Sequence, residues 1–199
     1  MPATNLIFNA PLGEKRILLH ACCAPCSSAI VEVLLQNGIE PVIFYSNSNI
    51  TPYGEYEIRG NECIRYARDL GLEIVCDDYD HDEWLKTVRG LESAPERGPR
   101  CLECFKFRLT RAARYAAEHG FRVLATTLAS SRWKSLEQVD NAGYYACDLV
   151  NADLPEDRQV IWWAQNWRKG GLQERRGEII REQDFYNQLF CGCEFSPRP

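Results

Sequence analysis

No apolar stretch in the 199-residue chain approaches the length of a membrane-spanning helix, so no span and no membrane partner are expected. Residues Met1 to Lys15 lack the basic-then-apolar order of a signal peptide, and the expectation is a cytoplasmic protein. Internal repeats, low-complexity tracts and linker-like composition shifts are also missing, which leaves 1–199 as one domain, with 1–16 as an N-terminal extension and 164–199 as a C-terminal one. An excess of positive charge is lacking as well: the formal net charge of −5 argues against a general nucleic-acid binder. With hydrophobic residues at 45% and charged residues at 26%, disorder is not expected either.

What the chain has is sulfur. A reducing compartment does not maintain structural disulfides, so ten cysteines point to metal binding or redox chemistry. Seven of them fall into three groups: Cys22, Cys23 and Cys26; Cys101 and Cys104; Cys191 and Cys193. Cys63, Cys76 and Cys147 stand alone in regular-looking segments and read as small buried hydrophobes.

Apolar periodicity and stop signals give an alternation of strands and helices. Strands are predicted at 17–20, 41–45, 73–76, 121–126 and 160–163. Helices are predicted at 27–37, at 53–70 with Thr51 as a possible cap, at 80–89, 101–119, 136–147 and 178–189. Such alternation indicates an α/β fold: a doubly wound, mostly parallel sheet with helices on both faces and a helical C-terminal extension.

Cys23-Ala24-Pro25-Cys26 and Cys101-Leu102-Glu103-Cys104 each open a predicted helix, where unpaired N–H groups favour thiolates or an anionic cluster. Four thiolates suit tetrahedral zinc or an iron–sulfur cube. Zinc ribbons keep their pairs in one small subdomain, whereas these groups are separated by several elements, which favours a cluster at the mouth of the sheet; spacing alone leaves both open. Cys191-Gly192-Cys193 closes only a small, strained and hence reducible disulfide ring, which suits a redox pair.

Other residues carry less. His20 reads as a satisfied histidine at a strand end, and His81 and His119 as surface or helix-end residues. Trp162, Trp163 and Trp167 read as core rather than as a platform for a base. Arg97, Arg100, Lys106, Arg108, Arg111 and Arg114 read as a solvated basic helix face. Most of Glu55, Glu57, Arg59, Asp77, Asp78 and Asp80 read as solvated charges.

His20-Ala21-Cys22-Cys23-Ala24-Pro25-Cys26-Ser27, then 44–50 (Phe-Tyr-Ser-Asn-Ser-Asn-Ile) with Glu55, Tyr56 and Arg59, then Cys101-Leu102-Glu103-Cys104, and finally Cys191-Gly192-Cys193-Glu194-Phe195-Ser196, together resemble the QueH family of epoxyqueuosine reductases. The likeness runs from about Lys15 to Ser196. It implies a sheet of the adenine-nucleotide hydrolase (HUP-like) type and reduction of epoxyqueuosine to queuosine at the wobble position of tRNA. Cobalamin is not implied. A low-potential electron donor, not identified by the sequence, is.

By the same resemblance, Cys22, Cys23, Cys101 and Cys104 match the ligands of a 4Fe–4S cluster. Cys191 and Cys193 match a redox-active disulfide, and Cys26 is a candidate ligand of an additional mononuclear iron beside the cluster. Lys106, Arg108, Arg168 and Lys169 become candidates for contacting tRNA phosphates. Two other readings are a zinc-stabilised RNA-binding module without chemistry and a nucleotide-activating tRNA-modifying enzyme. The second would need a glycine-rich phosphate loop after the first strand, and none is present.

Overall fold

The computed structural model describes residues 6–196; the outer parts of the two expected extensions, 1–5 and 197–199, lie outside the described residues. Five parallel strands form one sheet in the order β3-β2-β1-β4-β5: β1 (Arg16–Ala21), β2 (Glu40–Tyr45), β3 (Ile74–Cys76), β4 (Val123–Thr126) and β5 (Ile161–Trp162). The central strands are continuous apolar runs because helices cover both of their faces. Ile17, Leu18 and Leu19 of β1 are fully buried, and His20 is registered against Phe44 on one side and Thr126 on the other.

The helices are α1 (Ala24–Gln36), α2 (Tyr53–Asp69), α3 (His81–Thr87), α4 (Pro99–Glu118), α5 (Leu136–Asn151) and α6 (Leu172–Glu182). Phe105, Leu109, Ala112, Ala113 and Ala116 form a helical stripe that buries one side of α4 in the core. Helix α5 packs beside α4 and lies so close to β5 that a Cβ on Gly143 would sit 2.2 Å from the Trp162 ring. One apolar core runs from Ala10 to Phe185, taking in Leu172 and Ile179 of the C-terminal segment.

The chain lays β2 and β3 to one side of β1, then crosses back to place β4 and β5 on the other. The reversal therefore falls between the carboxyl ends of β1 and β4, which is where open α/β sheets collect ligands. Cys22 and Cys23 follow β1 there, and a short 3₁₀ turn, Thr127–Ser130, follows β4.

Several expectations need correction. The N-cap of α2 is Pro52 and no side chain caps it, so Thr51 does not play that part; the Thr51 N–H instead donates to the Gly192 carbonyl at 2.9 Å. The last helix begins at Leu172 and ends at Glu182, six residues earlier at its start than the sequence suggests. Gly171, at φ +81°, supplies the turn that lets it start, and residues 184–189 leave the helix to run back along the cavity. Cys76 is exposed rather than buried, because it ends a three-residue strand at the sheet edge, while Cys63 and Cys147 are buried as expected. Trp162, Trp163 and Trp167 are core residues.

Candidate metal and redox site

Cys23 is the N-cap of α1, with extended backbone, and Cys26 lies in the first turn behind Pro25, so the chain reversal after β1 gathers three thiols within a few residues. The Sγ atoms of Cys22, Cys23 and Cys26 all lie within 4.8 Å of one another, a separation a metal centre can bridge. Cys22 Sγ is 3.8 Å from Cys23 Sγ and accepts a hydrogen bond from Thr127 Oγ1 at 3.5 Å. Hydrogen bonds from the Cys23 and Cys26 thiols hold Cys22 well below the usual thiol range, against the opposing effect of burial, with Lys134 contributing positive charge. Cys23 is pushed up by its bond to Cys22, and Cys26 is pushed up to about 11 for the same reason. Of the three, Cys22 is the thiol most readily deprotonated, and binding a cation to the group releases protons.

Cys101 and Cys104 stand one turn apart at the start of α4, where Gly98 is the N-cap. Burial pushes both thiols up, Cys104 to about 12. Cys104 packs with Cys193, Trp84 and Val88 in a small apolar cluster that Cys191 and Phe195 also touch, so the mid-chain pair and the terminal pair are neighbours. Cys191 and Cys193 are free thiols, and burial raises that of Cys193.

All three groups meet at one cavity of about 770 Å³, within the size range of small-molecule sites. Cys22, Cys26, Cys101, Cys104, Cys191 and Cys193 line it, and Cys23 adjoins it through Gln188, whose Nε2 donates to Cys23 Sγ at 2.8 Å. Asn49 Oδ1, Ser130 Oγ and Gln188 Oε1, in residues that line the cavity, are buried with no partner among the described residues. Converging thiols with unpartnered polar atoms around them fit a thiolate-held metal or cluster and a polar ligand.

The basic residues are a solvated face only in part: Arg97 and Arg114 are exposed, whereas Lys106 and Arg111 are half-buried and two more are buried. Arg100 and Arg108 are each only 2% exposed and both line the cavity. Arg100 Nη1 donates to the Glu92 carbonyl at 2.7 Å and to that of Ala94. Arg108 donates from Nε to the Ser46 carbonyl at 3.2 Å and from Nη2 to Asn47 Oδ1. Arg111 forms an ion pair with Asp77, and Lys106 pairs with Glu103 at 2.8 Å. Among the described residues that line the cavity, six arginines and Lys134 stand against two carboxylates, Glu96 and Glu174, and even with Arg59 paired to Glu55 behind the wall this leaves a local excess of positive charge in an acidic chain.

Among the carboxylates, Glu55 and Arg59 form a buried pair at 2.6 Å instead of standing in solvent. Arg59 also holds the terminal segment, donating to the carbonyls of Cys191 and Phe190. His20 is satisfied within the core: the Ser46 carbonyl at 3.1 Å requires Nε2 to carry the hydrogen, which leaves Nδ1 to accept from Thr126 Oγ1 at 2.8 Å. Burial depresses its pKa to about 3, helped by Arg108, so the ring is neutral. His81 is not a bystander, since Nδ1 meets the Ser48 carbonyl at 2.7 Å and Nε2 meets Glu194 at 2.9 Å, tying α3 to the terminal segment.

Sequence reasoning passed over Lys134, Trp133 and Gln188, all cavity residues. The first two follow the carboxyl end of β4 across the reversal from Cys22, and that topological position was the available signal; Gln188 had none.

A family model described as epoxyqueuosine reductase QueH matches residues 17–199. The chain is 43% identical over 188 residues to the epoxyqueuosine reductase QueH of Haemophilus influenzae, covering 94% of this chain and 74% of that protein. It is 43% identical over 198 residues to that of Acinetobacter baylyi, covering 100% and 88%. Among solved structures, the U34-tRNA thiolase NcsA from Methanococcus maripaludis with its 4Fe–4S cluster matches with a TM-score of 0.55 at 13% identity, over 92% of this chain and 62% of that one, a likeness of fold. A predicted subunit of a tRNA methyltransferase from Methanocaldococcus jannaschii matches with a TM-score of 0.50 at 16% identity, over 85% and 89%. The doubly wound sheet, three cysteine groups drawn to its point of reversal, and a family match over nearly the whole length agree on one assignment: this chain belongs to the epoxyqueuosine reductase QueH family.

Proposed function

We propose that the protein reduces epoxyqueuosine to queuosine in cytoplasmic tRNA, and that the cavity at the carboxyl ends of β1 and β4 is where the modified base reacts. The observation that carries this reading is the convergence of seven thiols from three distant stretches on one cavity large enough for a nucleoside. Cys22, Cys23, Cys101 and Cys104 are the proposed ligands of a 4Fe–4S cluster. Cys26 sits within the compact early group, which supports a ligand role, either to that cluster or to the additional mononuclear iron beside it. A bound cluster would supply electrons singly at low potential.

The reaction consumes two electrons and two protons and releases the epoxide oxygen as water. The dithiol of Cys191 and Cys193 balances it: closing their disulfide yields two electrons and two protons, and an external low-potential donor restores the thiols. Gly192 between them has φ +98°, a turn that presents both cysteines from one short segment, and their thiols lie in the apolar cluster beside Cys104. Lys134 lines the same wall. Burial disfavours its charge, but the sulfurs of Cys191, Cys22 and Cys26 more than compensate, so its ammonium balances thiolate charge at the cavity. Asn49, Ser130 and Gln188 offer unused polar atoms to orient the base.

The test is anaerobic incubation of iron- and sulfide-reconstituted protein with epoxyqueuosine-containing tRNA and a low-potential reductant, followed by nucleoside mass analysis. Loss of one oxygen mass from the modified nucleoside supports the reading. An unchanged nucleoside with fully reconstituted protein refutes it, and a colourless protein holding zinc without acid-labile sulfide would favour the zinc-stabilised RNA-binding module.

A further inference from the structure

Trp133 is 78% exposed on the rim of the cavity, whereas the other four tryptophans are at most 7% exposed. Tryptophan is enriched at interfaces, where its broad apolar face meets a partner. Among the described residues no aromatic or cationic group lies over this ring.

The loop that presents it is nevertheless fixed. Arg97 donates from Nε to the Trp133 carbonyl at 3.0 Å and from Nη2 to the Arg132 carbonyl at 2.7 Å. Arg168 Nη2 donates to the Lys134 carbonyl at 2.8 Å, and Gln138 Nε2 donates to the Arg97 carbonyl at 2.8 Å, so the clamp is itself held. Two guanidiniums thus pin both ends of a short loop while the Arg132 side chain stays exposed, with no hydrogen bond or ion pair among the described residues. A preorganised flat apolar face beside a free cation, at the mouth of a positively charged cavity, has the chemistry of a single-stranded nucleic-acid contact: the base stacks and its phosphate pairs.

We propose that the pinned loop 131–134 docks the single-stranded RNA next to the modified nucleotide, with a neighbouring base stacked on the Trp133 indole and a phosphate held by Arg132. This rests on the reading of the cavity as an epoxyqueuosine site, and it says how a base leaves its stack to reach the thiols: the neighbour it leaves behind is stacked on protein instead. It also moves the RNA contact away from Lys106 and Arg108, whose side chains are engaged within the protein.

The experiment titrates an anticodon stem-loop RNA into the anaerobic iron-loaded protein. Because Trp133 is the one exposed tryptophan, binding should quench the exposed-indole fluorescence, and Trp133→Ala should remove that signal. By an independent filter-binding assay, Trp133→Ala should weaken binding about 10-fold and Trp133→Phe should restore most of it. Arg132→Gln should lower the slope of log affinity against log salt by about 0.7. Iron content should be the same in all variants. Binding by Trp133→Ala within twofold of wild type overturns the proposal. So does unchanged RNA binding with slower reduction by a protein electron donor, which would make the loop a docking site for that donor. If the wild-type protein neither binds nor reduces the tRNA, the reading of the cavity fails and the loop proposal falls with it; failure of the variants alone leaves that reading standing.

Discussion

The guanidinium of Arg59, on α2, donates from Nη1 to the carbonyl of Cys191 at 2.9 Å, joining residues 132 positions apart, and from Nη2 to that of Phe190 at 3.3 Å. Its Nε donates to Glu55 Oε1 at 2.7 Å, Glu55 in turn accepts from the Tyr186 hydroxyl at 2.9 Å, and the Phe190 ring lies 5.1 Å from the guanidinium carbon. A buried ion pair on one helix therefore fixes where the terminal dithiol lies. The position of the two sulfurs is set by residues that take no part in redox chemistry.

Arg59→Met should destabilise the fold by about 3 kcal/mol, the low end for breaking a buried pair, because Tyr186 still donates to the abandoned carboxylate. It should also speed alkylation of Cys191 by iodoacetamide. Adding Glu55→Leu should recover part of the lost stability, since the uncompensated charge is then gone. Denaturant midpoints of the single and double variants check this, and equal midpoints would refute the account.

Gly192→Ala addresses the same segment locally. At φ +98° an alanine is strained, and its Cβ would lie 3.1 Å from Ile50 Cγ1 and 3.2 Å from Arg59 Nη1. The expected outcome is a loss of turnover of about tenfold, as a misplacement costing ~1.4 kcal/mol would give. The thermal midpoint should move little, because the strained residue lies beyond the last helix. Wild-type turnover with normal dithiol redox titration would show that the turn does not position the thiols.

Much of this arrangement was legible in the sequence, and what was not has a common cause. Strands such as 17–20 and 121–126 were visible because both of their faces are apolar, and the early thiols were visible at a helix start because Pro25 marks it, whereas Pro99 reads as loop and proves to open α4 two residues before the expected start. Arg108, by contrast, reads as one more cation on a basic helix until the Ser46 carbonyl, 62 positions away, takes its proton donor. Arg59 with Cys191 and His81 with Glu194 hide for the same reason: their partners are set by tertiary structure, and no local pattern encodes them. The start of α6 was misplaced because Gly177 sits within it, where a helix reading from composition prefers not to run.

The ligand set can be separated residue by residue. Cys22→Ala, Cys23→Ala and Cys101→Ala should each lower iron and acid-labile sulfide together after anaerobic reconstitution, whereas Cys63→Ala, at a thiol buried in the apolar core, should retain both. Cys26→Ala distinguishes its two proposed roles. Loss of sulfide along with iron makes it a cluster ligand, and loss of iron alone makes it a ligand of the additional ion. Full iron and sulfide in Cys101→Ala would remove the mid-chain pair from the set.

Arg108 tests whether charge near the cavity touches RNA or holds the site together. It is 2% exposed, and its donors are spent on the Ser46 carbonyl and Asn47 Oδ1, while Asn47 Nδ2 donates to the Ala21 carbonyl at 2.9 Å. One guanidinium thus ties α4 to the loop after β2, and through Asn47 to the end of β1 just before Cys22. In Arg108→Met, Asn47 Oδ1 loses its donor in a buried place, which should cost about 2 kcal/mol. Arg108→Lys should be destabilised as well, because one ammonium on a flexible stem does not reproduce the forked donation. Neither change should alter the salt dependence of RNA binding, since a guanidinium engaged by protein oxygens displaces no counterion from a phosphate. A salt slope reduced by about 0.7 with stability unchanged would instead return Arg108 to the phosphate contacts and detach it from the scaffold of the site.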